Sequence, residues 1–302
     1  MFYIFGFYKF KKIKSIKKSK KILSNFLIEN NIRGTIIVSN EGINGTISGK
    51  KKNLKLGIKK IKKTFNFLNF DSDNFSINKF HAFHRCKVKI KKEVVPMGIK
   101  INKRLQNGHI NPRKWNKIIT DKNTTLIDAR KPFEHEVGTF KNSFNPKIDN
   151  FREFPKFLNR LNKNNPVAMF CTGGIRCEIA SSFMIASGFD EVYQLKGGVL
   201  NYLEKVEKDK NLWEGECFVF DERVSLDKSL KQGKYVQCFG CRRPLSKDDL
   251  QSEHYQKGVS CSYCYDVSSD SDKERFAQRQ KQIELAELRG HEHMGTTAKQ
   301  KK

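Results

Sequence analysis

The sequence predicts a multidomain protein of mixed α+β and α/β class. Three features lead to this prediction. Strands and helices follow the order β-α-β-β-α-β over the first third of the chain, β and α segments then alternate, and two CxxC pairs follow near the end. A chain of 302 residues is long enough for two or three domains. Its hydrophobic content of 37% provides each with a core, which excludes a disordered polycation.

The first domain is predicted over residues 1–97. Its first helix has one apolar face, marked by Ile16, Leu23, Phe26 and Leu27, while the strand segments are apolar and bounded by turn residues. The order β-α-β-β-α-β is that of a ferredoxin-like sandwich. The predicted elements are a strand over 1–10, a helix over 15–30, strands over 34–39 and 46–48, a helix over 53–65 and a strand over 84–95.

A connector is predicted over residues 98–118, because Asn107-Gly108 and Asn111-Pro112 are turn signals. Trp115 is expected to pack at the start of the next domain. Over residues 119–213, short apolar strands alternate with helices, which is typical of a parallel sheet covered on both faces. The segments are strands over 125–128, 167–170 and 192–195, and helices over 151–161 and 178–187. Residues 214–272 then form a small cysteine-rich module, and 273–302 a charged helix with a disordered tail.

The chain is strongly basic, with 59 Lys and Arg against 32 Asp and Glu and a net charge of +27. Such a charge favours a polyanionic partner, most often nucleic acid. The excess of Lys, Asn, Ile and Phe is equally what an AT-rich genome produces. The eight lysines between Lys9 and Lys21 therefore have two interpretations, an RNA-facing surface or a solvated face without a ligand.

No run of about 18 apolar residues occurs, so we expect no transmembrane helix and no membrane partner. The start of the chain is apolar and then basic, the reverse of a secretory signal, which predicts a cytoplasmic protein. In that compartment, eight cysteines with two CxxC pairs indicate metal binding or catalysis rather than disulfides.

The most informative segment is a loop, Cys171-Thr-Gly-Gly-Ile-Arg176, that follows a buried strand and opens a helix. Inward N–H groups and the helix N-terminus favour a thiolate, so we predict a low pKa for Cys171 and a nucleophilic role rather than a structural one. Arg176 would brace the loop or face a bound anion, and Cys177 either packs or acts as a resolving thiol. The predicted anion cradle is Thr172, Gly173, Gly174 and Ile175.

This loop resembles the active-site loop of rhodanese domains, whose cysteine carries sulfur, and its six residues match the sulfur-carrying branch. The segment 126–138 resembles the rhodanese strand-and-turn signature, and Leu195-Lys-Gly-Gly198 resembles the terminal motif. The resemblance implies a rhodanese-like fold over residues 119–213, with Asp128 and Arg130 as scaffold residues. Asn142-Ser143 departs from the small pair often found at the end of the upstream motif, which affects packing rather than the loop.

Three motifs extend the resemblance over nearly the whole chain: segments 40–46, 170–178 and 215–224 occur in the order found in bacterial rhodanese-domain tRNA uridine(34) hydroxylases. This family resemblance implies a tRNA substrate, molecular oxygen as co-substrate and 5-hydroxyuridine at the wobble position, with the essential cysteine at Cys171. No flavin or nicotinamide motif occurs, and the scattered histidines suggest no iron triad. We therefore expect Cys171 itself to carry the chemistry, as a persulfide or an oxygen adduct.

Two cysteine pairs, Cys238-Phe-Gly-Cys241 and Cys261-Ser-Tyr-Cys264, are separated by 19 residues, a spacing found in zinc ribbons. The predicted site holds a structural zinc ion; a ribbon that has lost its metal and a redox pair are the alternatives. The adjacent Arg242 and Arg243 are predicted RNA contacts. In the first domain the predicted RNA contacts are Asn40, Glu41 and Asn44, for which a tight turn is the alternative explanation.

A sulfurtransferase that carries a persulfide on Cys171 is the alternative function, and a catalytically silent RNA-binding protein is a third. The N-terminal domain, the basic charge and the paired cysteines favour the RNA-modifying enzyme, because a simple sulfurtransferase needs none of them. The sequence does not predict protein partners, the electron source or the residues that contact uracil.

Overall fold

The computed structural model describes residues 1–99 and 108–290. The N-terminal unit is a five-stranded sheet in the order β4-β1-β3-β2-β5, with β5 parallel to β2 and the other pairs antiparallel. This arrangement confirms the predicted ferredoxin-like topology, with one strand added at the edge. Its elements are β1 (Phe2–Phe10), α1 (Ile16–Glu29), β2 (Arg33–Ser39), β3 (Gly42–Gly49), α2 (Lys51–Phe65), β4 (Ser72–Asn78) and β5 (Cys86–Ile90).

The two faces of this sheet have different neighbours, because side chains alternate along each strand. Phe5 and Phe7 of β1 pack with Leu23 of α1 and Ile61 of α2 in one core. Tyr8, on the opposite face, belongs to the core of the second domain. The sheet therefore separates its own helices from the rest of the molecule.

The strand predicted over 84–95 was wrong in extent and in place: only Cys86–Ile90 is a strand, and it is the fifth of the sheet. The strand that completes the β-α-β-β-α-β order is β4, with the sequence SDNFSIN. Its alternation was not recognised because three of its positions, Ser72, Asn74 and Ser76, are polar although they face the rest of the protein. The strand predicted over 46–48 is longer, since β3 begins at Gly42.

The second domain has a four-stranded parallel sheet in the order β6-β10-β9-β7, as predicted for an α/β domain. Trp115 is fully buried, as expected. The helix predicted over 151–161 is shorter, because a 3-10 turn at Phe151–Glu153 precedes it. The elements are β6 (His109–Ile110), α3 (Pro112–Ile119), β7 (Thr125–Asp128), α4 (Pro132–Val137), β8 (Gly138–Phe140), α5 (Phe154–Leu158), β9 (Val167–Phe170), α6 (Ile175–Ala186), β10 (Val192–Leu195) and α7 (Gly198–Lys205).

Residues 213–290 contain short antiparallel strand pairs and one long helix. β11 (Trp213–Gly215) pairs with β8, β12 (Cys217–Phe218) with β13 (Ser225–Leu226), and β14 (Val236–Gln237) with β15 (Pro244–Leu245). The charged helix is α8 (Asp270–Leu288). Part of the predicted connector and the predicted tail lie outside the described residues. Among the helices that the structure describes, none has both the length and the apolar character needed to span a bilayer.

Candidate active site and cysteine cluster

Cys171 follows β9 directly, and the loop that it opens curls back to start α6. Gly174 adopts a φ of +94°, which a residue with a side chain rarely does. Gly198 supports the loop from the other side: a Cβ there would lie 2.5 Å from the Cys171 carbonyl oxygen. That carbonyl accepts a hydrogen bond from the Val199 N–H at 3.0 Å. The glycine pair at the start of α7 thus lets this segment approach the Cys171 loop closely.

The Cys171 sulfur lies fully buried among hydrogen-bond donors, and the Gly174 N–H donates to it at 3.2 Å. Burial opposes ionisation, but the Cys177 thiol, the Arg176 charge and the N–H groups of Cys177 and Arg176 together lower the pKa of Cys171 to about 6. The pKa of Cys177, by contrast, is raised by burial and by the neighbouring thiolate. One thiolate and one thiol therefore share the site at neutral pH.

Arg176 is held by a carboxylate that the sequence analysis did not single out. Its guanidinium donates to both oxygens of Glu134, at 2.7 and 2.8 Å, and Glu134 is fully buried. Thr172 donates its hydroxyl to the same carboxylate at 3.3 Å. Glu134 lies on α4, within the rhodanese-like signature, so its position in that motif was the available signal. The Arg176 guanidinium is thereby held against α4 by two hydrogen bonds.

Asp128 and Arg130 form a buried ion pair below the loop. Arg130 donates to both Asp128 oxygens, at 2.8 and 2.6 Å, and to the Gly138 carbonyl at 2.6 Å. Burial opposes ionisation of Asp128, but Arg130 and His135 keep its pKa at about 2. The pair ties the end of β7 to the end of α4. Both side chains are buried, and Arg130 contacts the backbone at the end of the helix that carries Glu134.

A cavity of about 520 Å³ opens above Cys171, between the N-terminal sheet and the loop. Its sheet wall carries Asn44 and Asn74, whose half-buried carboxamides make no hydrogen bond to any other residue that the structure describes. Gly6 provides the space for Asn74, because a Cβ at Gly6 would lie 2.9 Å from the amide nitrogen. Further lining residues are Thr46, Ser72, Val94, Arg176, Phe220 and Arg223.

The N-terminal sheet is joined to the loop by a buried carboxylate. Glu178, in the first turn of α6, accepts a hydrogen bond from the Tyr8 hydroxyl at 2.8 Å and lies 2.9 Å from His109 Nε2. Gln194 Nε2 lies 2.9 Å from the same His109 nitrogen. Burial, followed by the charge of Glu178, raises the pKa of Tyr8, so its hydroxyl stays protonated as a donor. None of these four residues was predicted from the sequence to belong to the site.

The third motif found in the sequence, residues 215–224, forms a further part of the cavity wall. Arg223 donates to both oxygens of Asp221, at 2.8 and 2.6 Å, and to the Ser76 hydroxyl of β4 at 2.7 Å. The loop that they anchor presents Phe220, which is 63% exposed, at the cavity. The three motifs recognised in the sequence therefore meet around one space.

The three predicted RNA contacts of the first domain occupy different places. Asn44 lines the cavity, while Asn40 and Glu41 form the exposed turn between β2 and β3. The Glu41 carboxylate accepts the Val94 N–H at 2.6 Å, which holds the segment that contributes Val94 to the cavity wall.

The four predicted cysteine ligands, Cys238, Cys241, Cys261 and Cys264, have all their sulfurs within 4.8 Å of one another. The separations are 3.9 Å for the first and fourth, 3.7 Å for the second and third, and 3.7 Å for the last two. A tetrahedron of sulfurs about 2.3 Å from a zinc ion has edges of about 3.8 Å. The donor set and its dimensions therefore fit a zinc ion.

The two arginines beside the cluster differ in their contacts. Arg243 donates to Glu136 on α4 at 2.9 Å and stacks over Tyr263 at 4.3 Å. Arg242 is exposed and lies over the Phe239 ring at 5.1 Å. Arg243 thus links the cysteine module to the helix that carries Glu134, whereas Arg242 donates to Gln237 Oε1 at 3.3 Å and has no acidic partner among the described residues.

Comparison with known proteins gives matches over most of the chain. Residues 2–94 match the UPF0176 acylphosphatase like domain, and residues 111–205 match the rhodanese-like domain. A protein of Pelagibacter ubique (strain HTCC1062) named tRNA uridine(34) hydroxylase is 58% identical over 295 residues, which cover 97% of this chain and 98% of that protein.

Among solved structures, a rhodanese-related protein from Thermoplasma volcanium is 26% identical, covers 32% of this chain and 92% of its own, and has a TM-score of 0.29. A rhodanese-like domain protein from Staphylococcus aureus is 22% identical, covers 32% of this chain and 90% of its own, and has a TM-score of 0.28.

Proposed function

The chain belongs to the tRNA uridine(34) hydroxylase family, and we propose that it is the enzyme that converts the wobble uridine of tRNA to 5-hydroxyuridine. One observation carries the proposal: Cys171, with a pKa of about 6, lies at the base of a cavity of about 520 Å³ whose opposite wall belongs to another domain. A lone sulfurtransferase domain needs no such second wall. The wobble uridine is unpaired in the anticodon loop, so placing its base in this cavity costs little unstacking.

The cavity provides both kinds of group that a uracil requires. Uracil has two carbonyl acceptors and one N–H donor, and a carboxamide offers one acceptor beside a donor. Asn44 and Asn74 present carboxamides that are not hydrogen-bonded to any residue in the described part of the chain, and Phe220 offers an aromatic ring at the mouth for stacking. We assign Asn44 and Asn74 to the base, and Glu41 to support of the wall through Val94.

Cys171 is the proposed reactive group, as a nucleophile or as the carrier of a sulfur or oxygen adduct, with molecular oxygen as co-substrate. Insertion of one oxygen atom at C5 leaves the other to be reduced to water by two electrons and two protons from an external donor. Arg176 holds the loop in the shape that directs N–H groups at the sulfur, because Glu134 fixes its guanidinium. Thr172, Gly173, Gly174 and Ile175 provide the backbone of that cradle.

The cysteine cluster is the proposed site of a structural zinc ion, held by Cys238, Cys241, Cys261 and Cys264. Such an ion would supply folding energy to residues 238–264, whose apolar cluster contains Leu245 as a buried side chain besides three of the cysteines. Arg242 and Arg243 are proposed contacts of the RNA at this module, Arg242 directly and Arg243 after exchange of its Glu136 partner. With tRNA as substrate, the proposed location is the cytoplasm.

The test is nucleoside analysis of tRNA from cells in which the gene encodes Cys171→Ser, Asn74→Ala or the control Cys86→Ser, a half-buried cysteine on the far side of the first domain's sheet. We expect loss of 5-hydroxyuridine and its derivatives with Cys171→Ser, a reduced level with Asn74→Ala, and the wild-type level with the control. Full hydroxylation in Cys171→Ser cells contradicts the role of the cysteine. Unchanged tRNA together with lost thiosulfate:cyanide sulfurtransferase activity would instead support the alternative function.

A further inference from the structure

The cavity face of the N-terminal sheet continues beyond the cavity to the edge strand β5. In the parallel pairing of β2 and β5, Thr35 is opposite Lys87, and Ile37 is opposite Lys89. Thr35 and Ile37 line the cavity, so the two lysines point to the same side, about 4.8 Å further out. The intervening Val88 faces the helices, which agrees with this alternation.

Arg242 of the cysteine module adds a third positive charge in the neighbourhood of Lys87. Burial, Arg85, Lys89 and Arg242 together lower the pKa of Lys87, which places Arg242 within electrostatic reach of β5. Lys87, Lys89 and Arg242 are exposed. Within residues 1–99 and 108–290, none of the three has a carboxylate partner within 4.0 Å. We call these three residues the basic edge.

Positive charges gathered in one place without acidic partners repel one another and destabilise the fold. An anionic ligand removes that cost. The position of the basic edge indicates which anion it binds, because the edge begins one strand away from the cavity that holds Cys171. A nucleotide whose base enters that cavity has its neighbouring phosphates outside the cavity mouth.

The larger lysine cluster lies elsewhere. Lys17, Lys18 and Lys21 are exposed on α1, and α1 packs on the opposite face of the same sheet. These lysines and the basic edge are therefore separated by the whole thickness of the N-terminal domain. They provide a control in which the same charge is removed from a surface that faces away from Cys171.

We propose that the basic edge, Lys87, Lys89 and Arg242, binds the phosphates of the nucleotides next to the target uridine, and that the α1 lysines do not contact this RNA. The proposal rests on the function proposed above. Phosphate contacts release counterions, so each contact contributes about 0.7 to the slope of log K against log salt for single-stranded RNA.

The experiment measures binding of an anticodon stem-loop RNA by fluorescence anisotropy over a series of KCl concentrations. For Lys87→Gln/Lys89→Gln/Arg242→Gln we expect the slope to fall by about 2, and for Lys17→Gln/Lys18→Gln/Lys21→Gln no change. A second variant, Lys87→Gln/Lys89→Gln, leaves the cysteine module intact and should show about two thirds of the effect. Equal slopes for the basic-edge and α1 variants, or an unchanged slope for the double variant, overturn the proposal.

The failure of this proposal can be distinguished from failure of the proposed function. Hydroxylation of the stem-loop or of tRNA by the wild-type protein tests the function and does not depend on the variants. If the wild-type protein hydroxylates the RNA and the basic-edge slope is unchanged, only the assignment of this surface is wrong. If the wild-type protein neither binds nor modifies the RNA, the proposed function is wrong and the surface assignment falls with it.

Discussion

At Cys171, the charge of the sulfur is decided by donors supplied from the start of α6. Burial alone would keep the thiol protonated, as it does at Cys217, where burial raises the pKa to about 12. Cys171 is equally buried, but the Cys177 thiol, Arg176 and two backbone N–H groups stabilise its thiolate. Cys171 and Cys217 are thus equally buried and differ in hydrogen bonding, which decides whether a buried thiol ionises near neutral pH.

Alkylation should reveal this difference. Because the thiolate is the form that reacts, the rate of Cys171 alkylation by iodoacetamide should rise with pH through a midpoint near 6 and be flat above pH 8. Cys177→Ala removes a donor, so the midpoint should move to higher pH and the rate at pH 6 should fall. Mass spectrometry of the Cys171 peptide measures the rate, and Cys217 in the same digest is the unreactive control. A midpoint near 9 in the wild-type protein would contradict the low pKa.

The site residues show what sequence could and could not predict. Cys171, Arg176 and the glycines were identified because their chemistry depends on neighbours in one loop. Glu134, Tyr8 and Glu178 were missed because their partners lie 42 and 170 residues away along the chain. Asn74 was missed with its strand, since polar residues that line a cavity break the apolar alternation that marks a strand.

At the level of elements, α4 connects the loop, the scaffold and the cysteine module. Its Glu134 holds Arg176 in the interior, while Glu136, two residues on, holds Arg243 at the surface. The first pair is almost wholly buried, and in the second the glutamate is 56% exposed. The buried pair and the exposed pair on this one helix should therefore contribute differently to the free energy of unfolding.

Replacing Glu134 and Glu136 one at a time should show how much each ion pair contributes to the free energy of unfolding. Glu134→Ala leaves the Arg176 charge buried without its partner, and we expect it to lower the free energy of unfolding by about 3–5 kcal/mol. Glu136→Ala breaks an exposed pair and should cost less than about 1 kcal/mol. Urea unfolding with fluorescence detection measures both. Similar losses for the two variants would show that Arg176 does not depend on Glu134.

The metal content of the four-cysteine cluster can also be predicted. The apolar cluster around the four cysteines is small: Cys238, Cys261 and Cys264 are buried in it together with Leu245, and Cys241 is exposed. A bound metal should therefore supply most of the stability of this cluster. Protein purified without added zinc should contain one zinc ion per chain, and Cys261→Ser should lose it, whereas Cys86→Ser should keep it. Plasma emission spectrometry measures the content. A chelator should lower the thermal midpoint of the wild-type protein, and a protein without metal and with an unchanged midpoint would support the metal-free alternatives.

Over the whole molecule, the domain types were predictable because each has its own local pattern: the helical and strand periodicities of the first, the β and α alternation of the second, and the CxxC spacing of the third. The contacts that hold the domains together were not predictable, because a shared apolar core that includes Tyr8 and several polar pairs join segments far apart in the sequence. Tyr8–Glu178 joins the first domain to the second, Arg223–Ser76 joins the first to the third, and Arg243–Glu136 joins the second to the third. The cavity over Cys171 exists only where these segments meet.

Whether the cavity over Cys171 depends on the contact between the first and second domains can be tested at Tyr8. Tyr8→Phe keeps the ring in the core and removes the hydroxyl that donates to Glu178, which should cost about 1 kcal/mol of stability. Because the hydroxyl holds the sheet wall against the loop, we expect kcat/KM for hydroxylation of the stem-loop RNA to fall by about tenfold. Thiosulfate:cyanide sulfur transfer, which needs only the loop, should change less. Tyr3→Phe, on the same strand but facing the helices, is the matched control. Equal losses of both activities in Tyr8→Phe would mean that the hydroxyl supports the loop itself, and that the first domain does not act as the substrate wall.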